Sequence, residues 1–271
     1  MQAIGNNQHN SYSLSIRLHA DGFSFYSYNP NELDAIKEES FRYNSKESHA
    51  ETLEKALAQF TQTKNSRYMY VYGLVVGKSI QIPLEVFHKE EANTLFRLTF
   101  AQEQAGKIYY NILPHLEIAK VFSIEKDIEM LLCKHFPGIR FYHTETMLLE
   151  NMLSSETQDK QRLYVYFHEQ DLFIFHYKEQ KLHYANTFPA GQADNIAYFI
   201  LSVWKNLNLD NLEGECILLG KNENLAACIK ILGKYLHCVK SLSSSDIYRR
   251  YSPARNTHYP LDLLALFINV I

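Results

Sequence analysis

The chain has 271 residues, 46% of them hydrophobic and 21% charged, with a formal net charge of −3. That length suits one large or two modest domains with a sizeable core. The near-neutral balance lacks the basic signature of a nucleic-acid or membrane-surface binder, and no apolar run reaches the roughly 18–20 residues needed to span a bilayer.

In chain order, residues 1–12 read as a loose polar tail. MQAIGNNQHNS is neither a signal nor a transit peptide, so a cytoplasmic location is expected. Strands are predicted at 13–19 and 23–28, with Ala20-Asp21-Gly22 as the turn between them. A third strand runs through 35–43. Ser48-His49-Ala50-Glu51 resembles a capping box, and Leu53, Ala56, Leu57 and Phe60 recur at helical spacing, which predicts a helix over 49–62. Strand character returns at 67–76, and Ile82–Phe87 leads into a short helix around 88–98. Residues 107–113 and 117–123 form a hairpin turning at Pro114-His115. A helix at 125–135, a strand at 139–143 and a helix at 145–153 follow.

The polar stretch SSETQDK at 154–160 is the natural boundary between halves. Beyond it come strands at 162–168, 171–178 and 181–187, a helix at 192–206, a strand at 215–220 and a helix at 222–236. A strand at 237–241, a loop and a helix at 260–271 complete the chain. The C-terminal LDLLALFINVI is read as a core helix, being too short to span and broken by Asp262 and Asn269. The scattered cysteines Cys133, Cys216, Cys228 and Cys238 predict reduced, mostly buried thiols. Nineteen Tyr and sixteen Phe stand against one Trp, mostly in strand-like runs, and Tyr is expected on half-exposed sheet faces.

Two segments echo each other. LSIRLHADGFSFYSY begins at Leu14 and LYVYFHEQDLFIFHY begins at Leu163, 149 positions later (163 − 14). Leu14/Leu163, His19/His168 and Tyr28/Tyr177 are identical, and Ile16/Val165, Leu18/Phe167, Phe23/Leu172 and Phe25/Ile174 keep phase. The order βββαβα, repeated at least in its opening, implies an α/β fold with mixed strand direction. Two lobes are expected, over 13–157 and 158–271.

This pattern resembles the actin-like ATPase superfamily, whose duplicated ribonuclease-H-like lobes occur in sugar kinases, Hsp70 and actin. It is closest in style to bacterial cell-division and pilus-assembly members. In that superfamily each lobe opens on a strand ending near I-D-x-G, the Asp serving metal-bound water or phosphate. The resemblance places Ile16-Arg17-Leu18-His19 in the first slot and Val165-Tyr166-Phe167-His168 in the second. Arg17 and Tyr166 then replace the carboxylates, and His19 and His168 the glycines. Ile217-Leu218-Leu219-Gly220-Lys221 aligns with the Gly-Gly pair beside the adenosine, keeping Gly220 and substituting Lys221. A slipped register would make Asp21, before Gly22, or Asp171 the acid, but a one-residue slip turns every side chain to the other face. SLSIRLHADGFSFYSYNP and IPLEVF also make the chain similar to a bacterial family described only as a domain of unknown function.

Other constellations are sparse. His143 and Glu145 share a strand face if the strand continues, and His168, His176 and His183 lie on successive strands. None of the twelve histidines has a paired metal-ligand spacing. The loop 241–258 is locally basic through Arg249, Arg250 and Arg255 and, with Lys221, is a candidate anion- or partner-binding region. Without Asp to position Mg²⁺, phosphoryl transfer loses its chief support. The expectation is a non-catalytic scaffold binding another protein, needing no cofactor, metal or nucleic acid. The alternative is an ATP-dependent kinase or ATPase with displaced acids. A nuclease is the weaker third reading, for want of clustered carboxylates.

Overall fold

A computed structural model describes residues 12–30, 32–63, 68–101, 106–153, 160–248 and 259–270. They fall into two compact units that divide between Met147 and Leu148, with His115–Glu117 grouping with the second.

The first unit is built on five strands: β1 (Ser13–His19), β2 (Gly22–Asn29), β3 (Glu32–Arg42), β4 (Tyr70–Val75) and β8 (Arg140–His143). They form one sheet in the order β3-β2-β1-β4-β8. β1, β2 and β3 pair antiparallel in turn, whereas β4 runs parallel to β1 and β8 parallel to β4. Alternation decides the faces. Leu14, Ile16 and Leu18 pack with helix α1 (His49–Thr63) through Leu53, Ala56, Leu57 and Phe60. Helix α3 (Lys126–His135) adds Ile128 and Leu132 to the same core. The capping box at α1 is formed: Ser48 N donates to Glu51 Oε2 at 2.8 Å, and Glu51 N donates to Ser48 Oγ at 3.2 Å.

A smaller sheet belongs to this unit. Its strands are β5 (Ser79–Pro83), β6 (Lys107–Leu113) and β7 (Ile118–Ile124), in the order β5-β7-β6. Helix α2 (Ala92–Thr99) covers it through Ala92 and Phe96. The hairpin of β6 and β7 matches its expectation; β5 is not among the expected strands, and it ends at Pro83. The proline closes an edge strand, where the missing N–H costs no ladder bond.

The second unit carries β9 (Arg162–His168), β10 (Asp171–Lys178), β11 (Lys181–Pro189), β12 (Glu215–Gly220) and β13 (Cys238–Leu242). Their order is β11-β10-β9-β12-β13, the same topology as the first unit's large sheet. Strand directions match too: β9, β10 and β11 pair antiparallel in turn, and β12 runs parallel to both β9 and β13. Leu163, Val165 and Phe167 pack with helices α5 (Ala193–Asn206) and α6 (Leu225–Leu232). Helix α4 (Thr144–Leu153) runs across the division between the units, and α8 (Leu261–Val270) lies near the C-terminus. All of Leu261–Phe267 is buried, so α8 is a core helix. No helix of the described residues is long and apolar enough to cross a membrane.

Two expectations need correction. The half-exposed reading holds for only part of the tyrosines: the strand residues Tyr70 and Tyr110 are 42% and 41% exposed, but Tyr26, Tyr28, Tyr72, Tyr164, Tyr166 and Tyr177 are buried. Internal acceptors replace water, as where Tyr177 OH donates to Leu149 O at 2.6 Å and Tyr26 OH to Glu38 Oε1 at 3.3 Å. In the expected loop 241–258, residues 241–242 belong to β13 and a short helix follows, α7 (Ser244–Tyr248), capped by Ser243 N and Oγ on Asp246 Oδ2. Arg249, Arg250, Arg255 and most of residues 1–12 lie outside the described residues.

Candidate functional site

The two hairpins end in the same register. Leu18 pairs with Phe23 and His19 with Gly22 in the first unit; Phe167 pairs with Leu172 and His168 with Asp171 in the second. What stands at each strand end differs.

In the first unit, Arg17 is buried opposite Ser24. His19 Nδ1 lies 2.7 Å from Asp21 Oδ1, and its Nε2 lies 3.0 Å from Ser24 Oγ. Since a carboxylate only accepts, Nδ1 carries the proton, and in the neutral ring Nε2 accepts from the Ser24 hydroxyl. This hydrogen bond from His19 holds the exposed Asp21 carboxyl below the usual range, against the desolvation that raises it. Asp21 is thus a turn residue spent on its own hairpin. Gly22 is required for a reason other than turn conformation: a Cβ there would meet Phe41 O at 2.0 Å, where β3 crosses close.

In the second unit the strand end is closed by a carboxylate that sequence reasoning treated only as an interruption of a helix. Tyr166 OH donates to Asp262 Oδ1 at 2.9 Å, and His168 Nε2 lies 3.7 Å from Asp262 Oδ2. Asp262 has no solvent exposure, Tyr166 4% and His168 7%. Asp262 sits in the first turn of α8, where the helix dipole favours an anion. The available signal was that one acid within an otherwise apolar, buried helix demands partners. Gly220 adopts φ +85°, and a Cβ on it would meet Phe167 O at 2.7 Å and the Tyr166 ring at 3.1 Å. Gly220 therefore makes room for Tyr166 in this chain. Lys221, next to it, is exposed.

A second buried network lies in the first unit. Lys120 on β7 pairs with Glu145 in the first turn of α4; their side chains are 1% and 7% exposed. Ser79 Oγ donates to Glu145 Oε2 at 3.3 Å, and His143 Nδ1 lies 3.7 Å from it. His143 and Glu145 do not share a strand face, because β8 ends at His143; they approach across a strand-to-helix junction, and nothing in the sequence pointed to Lys120. Asn111 ties the junction down, accepting from His143 N at 2.9 Å and donating to Phe141 O at 3.0 Å. No three His, Cys, Asp or Glu side chains of the described residues converge to enclose a metal. His168 lies at the opposite end of its hairpin from His176, which pairs with Leu163.

A family model, "Protein of unknown function (DUF3822)", matches residues 2–239. The chain belongs to that family. No curated protein sequence matches this member. Its structure is similar to a crystal structure from Bacteroides thetaiotaomicron VPI-5482 of a protein with actin-like ATPase fold and unknown function. That likeness has a TM-score of 0.79 and 26% identity over 98% of this chain and 99% of that one. It is also similar to a chain of the PilM-PilN type IV pilus biogenesis complex, with a TM-score of 0.60 and 11% identity over 95% and 97% of the two chains. The DUF3822 chain thus has the actin-like ATPase fold, in keeping with the shared strand order of its two large sheets.

Proposed function

We propose that this DUF3822 protein is a scaffold of the actin-like ATPase fold that binds another protein and does not hydrolyse nucleotide. The observation that carries the reading is the Tyr166–Asp262–His168 network. At the second unit's strand end the superfamily pattern calls for a free carboxylate and a bare glycine backbone. This chain has a phenol and an imidazole there, both turned onto its own buried Asp262. At the matching position of the first unit stands the cation Arg17, and Asp21 is engaged by His19. Phosphoryl transfer needs acids that hold Mg²⁺ and position the nucleophile. Glu145, the buried acid of the Lys120 network, is neutralised by that lysine. A partner protein is supported by the PilM-PilN structure, in which a protein of this fold is part of a complex.

Isothermal titration calorimetry with Mg-ATP on the full chain tests the reading. No saturable heat and no phosphate release are expected. Micromolar binding with turnover would overturn it in favour of an ATPase or kinase with displaced acids.

A further inference from the structure

Away from the strand-end networks, the second unit holds a cavity of about 800 Å³ whose lining includes His176, His183, Glu179, Asp210 and Glu213. His176, on β10, is 4% exposed. Its Nδ1 lies 2.8 Å from the carbonyl oxygen of Arg162. A carbonyl only accepts, so Nδ1 holds the proton and donates it, leaving an Nε2 lone pair in the neutral ring. That nitrogen has no protein partner among the described residues, and the ring lines the cavity.

The backbone brings a second imidazole to it. The β10–β11 register shifts between His176 and Tyr177: His176 faces Tyr184 while Tyr177 faces Leu182. His183 is therefore the extra residue of a β-bulge, a device that re-aims a side chain. The two rings lie 5.8 Å apart between centroids, at 85° to one another. Two imidazoles on one tetrahedral zinc, each nitrogen roughly 2.0–2.1 Å from the metal, set their centroids about 5 Å apart. The observed 5.8 Å is close to that spacing.

We propose that His176 and His183 form a two-imidazole site for a divalent transition-metal ion of the zinc class. Nitrogen donors select such ions over magnesium or calcium. The Arg162 carbonyl does for His176 what the outer partner of a ligating histidine does: it fixes the tautomer and the ring plane. With no third side chain converging among the described residues, water fills the remaining positions, one protein ligand fewer than in a catalytic zinc centre.

The experiment is a calorimetric titration of the full chain with zinc chloride, beside His183→Ala. His183 is exposed, so the variant keeps the fold, which thermal unfolding checks; His183→Asn serves if the alanine variant unfolds. One zinc per chain is expected, with affinity falling at least about tenfold in the variant, and with the His176 Nε2 resonance shifting as zinc is added. Absence of saturable binding, affinity in the variant within about twofold of the parent, or an unmoved His176 resonance would each overturn the assignment. None of these outcomes bears on Mg-ATP, so the site and the scaffold reading stand or fall separately.

Discussion

The Tyr166 hydroxyl donates a 2.9 Å hydrogen bond to Asp262, reaching from the strand that opens the second unit to a helix 96 residues further on. Neither side chain is more than 4% exposed. Removing one partner of a buried hydrogen bond costs about 1–3 kcal/mol. Tyr166→Phe keeps the ring and deletes the donor, so it is expected to lower the urea unfolding free energy by that amount. A change under about 0.5 kcal/mol would mean that Asp262 does not depend on Tyr166.

The Lys120–Glu145 pair makes a different prediction, because removing one partner leaves a charge inside the protein. Lys120→Met is expected to cost about 3–5 kcal/mol. Lys120→Met with Glu145→Gln removes both charges and recovers part of that loss. Denaturant titrations of the two single variants and the double variant close the cycle. Strict additivity would show that the pair is not coupled.

Acid sensitivity should centre on Glu215. Burial alone would raise its carboxyl, but hydrogen bonds from Lys160, Lys240 and Arg162 bring it down to about 2. Its folded value lies below its unfolded one, so its contribution is complete above the unfolded value, near 4.5, and is lost as pH falls toward 2. The shift corresponds to roughly 3 kcal/mol. Glu215→Gln should flatten the stability profile between about pH 5 and pH 2 and leave its shape at neutral pH alone. Parallel profiles for parent and variant would remove Glu215 from the acid transition.

Gly22 and Gly191 separate close approach from open space. Gly22→Ala drives a methyl into Phe41 O, 2.0 Å away, whereas at Gly191 the nearest atom lies 3.4 Å off and is the end of the Asn195 side chain. Gly22→Ala should cost about 1–3 kcal/mol and Gly191→Ala less than about 0.5 kcal/mol, both read by thermal unfolding. Equal costs would mean that the β2–β3 crossing relaxes freely.

Much of the architecture is legible in the amino-acid sequence, and the reason is local. Period-two runs such as Leu14–Leu18 and Leu163–Phe167 declare strands with one face in a core, and the Ser48–Glu51 box declares the start of α1. The offset between the hairpins carries the second sheet's opening register from the first. Short or ambiguous elements escape: β5, ended by Pro83, and α7, whose Ser243–Asp246 cap sits within a polar stretch.

The site is legible in the sequence only as a set of replacements. The sequence by itself determined that Arg17, His19, Tyr166 and His168 stand at the two strand ends and that Gly220 closes β12, since these follow from alternation and spacing along one strand. Only the tertiary structure decided what those side chains do. Asp262 reaches Tyr166, Lys120 reaches Glu145 and His183 is turned to His176 through contacts that depend on helix placement and on a one-residue bulge. No periodic signal encodes them, because a buried polar side chain takes its partner from whatever the packed chain brings within hydrogen-bonding reach.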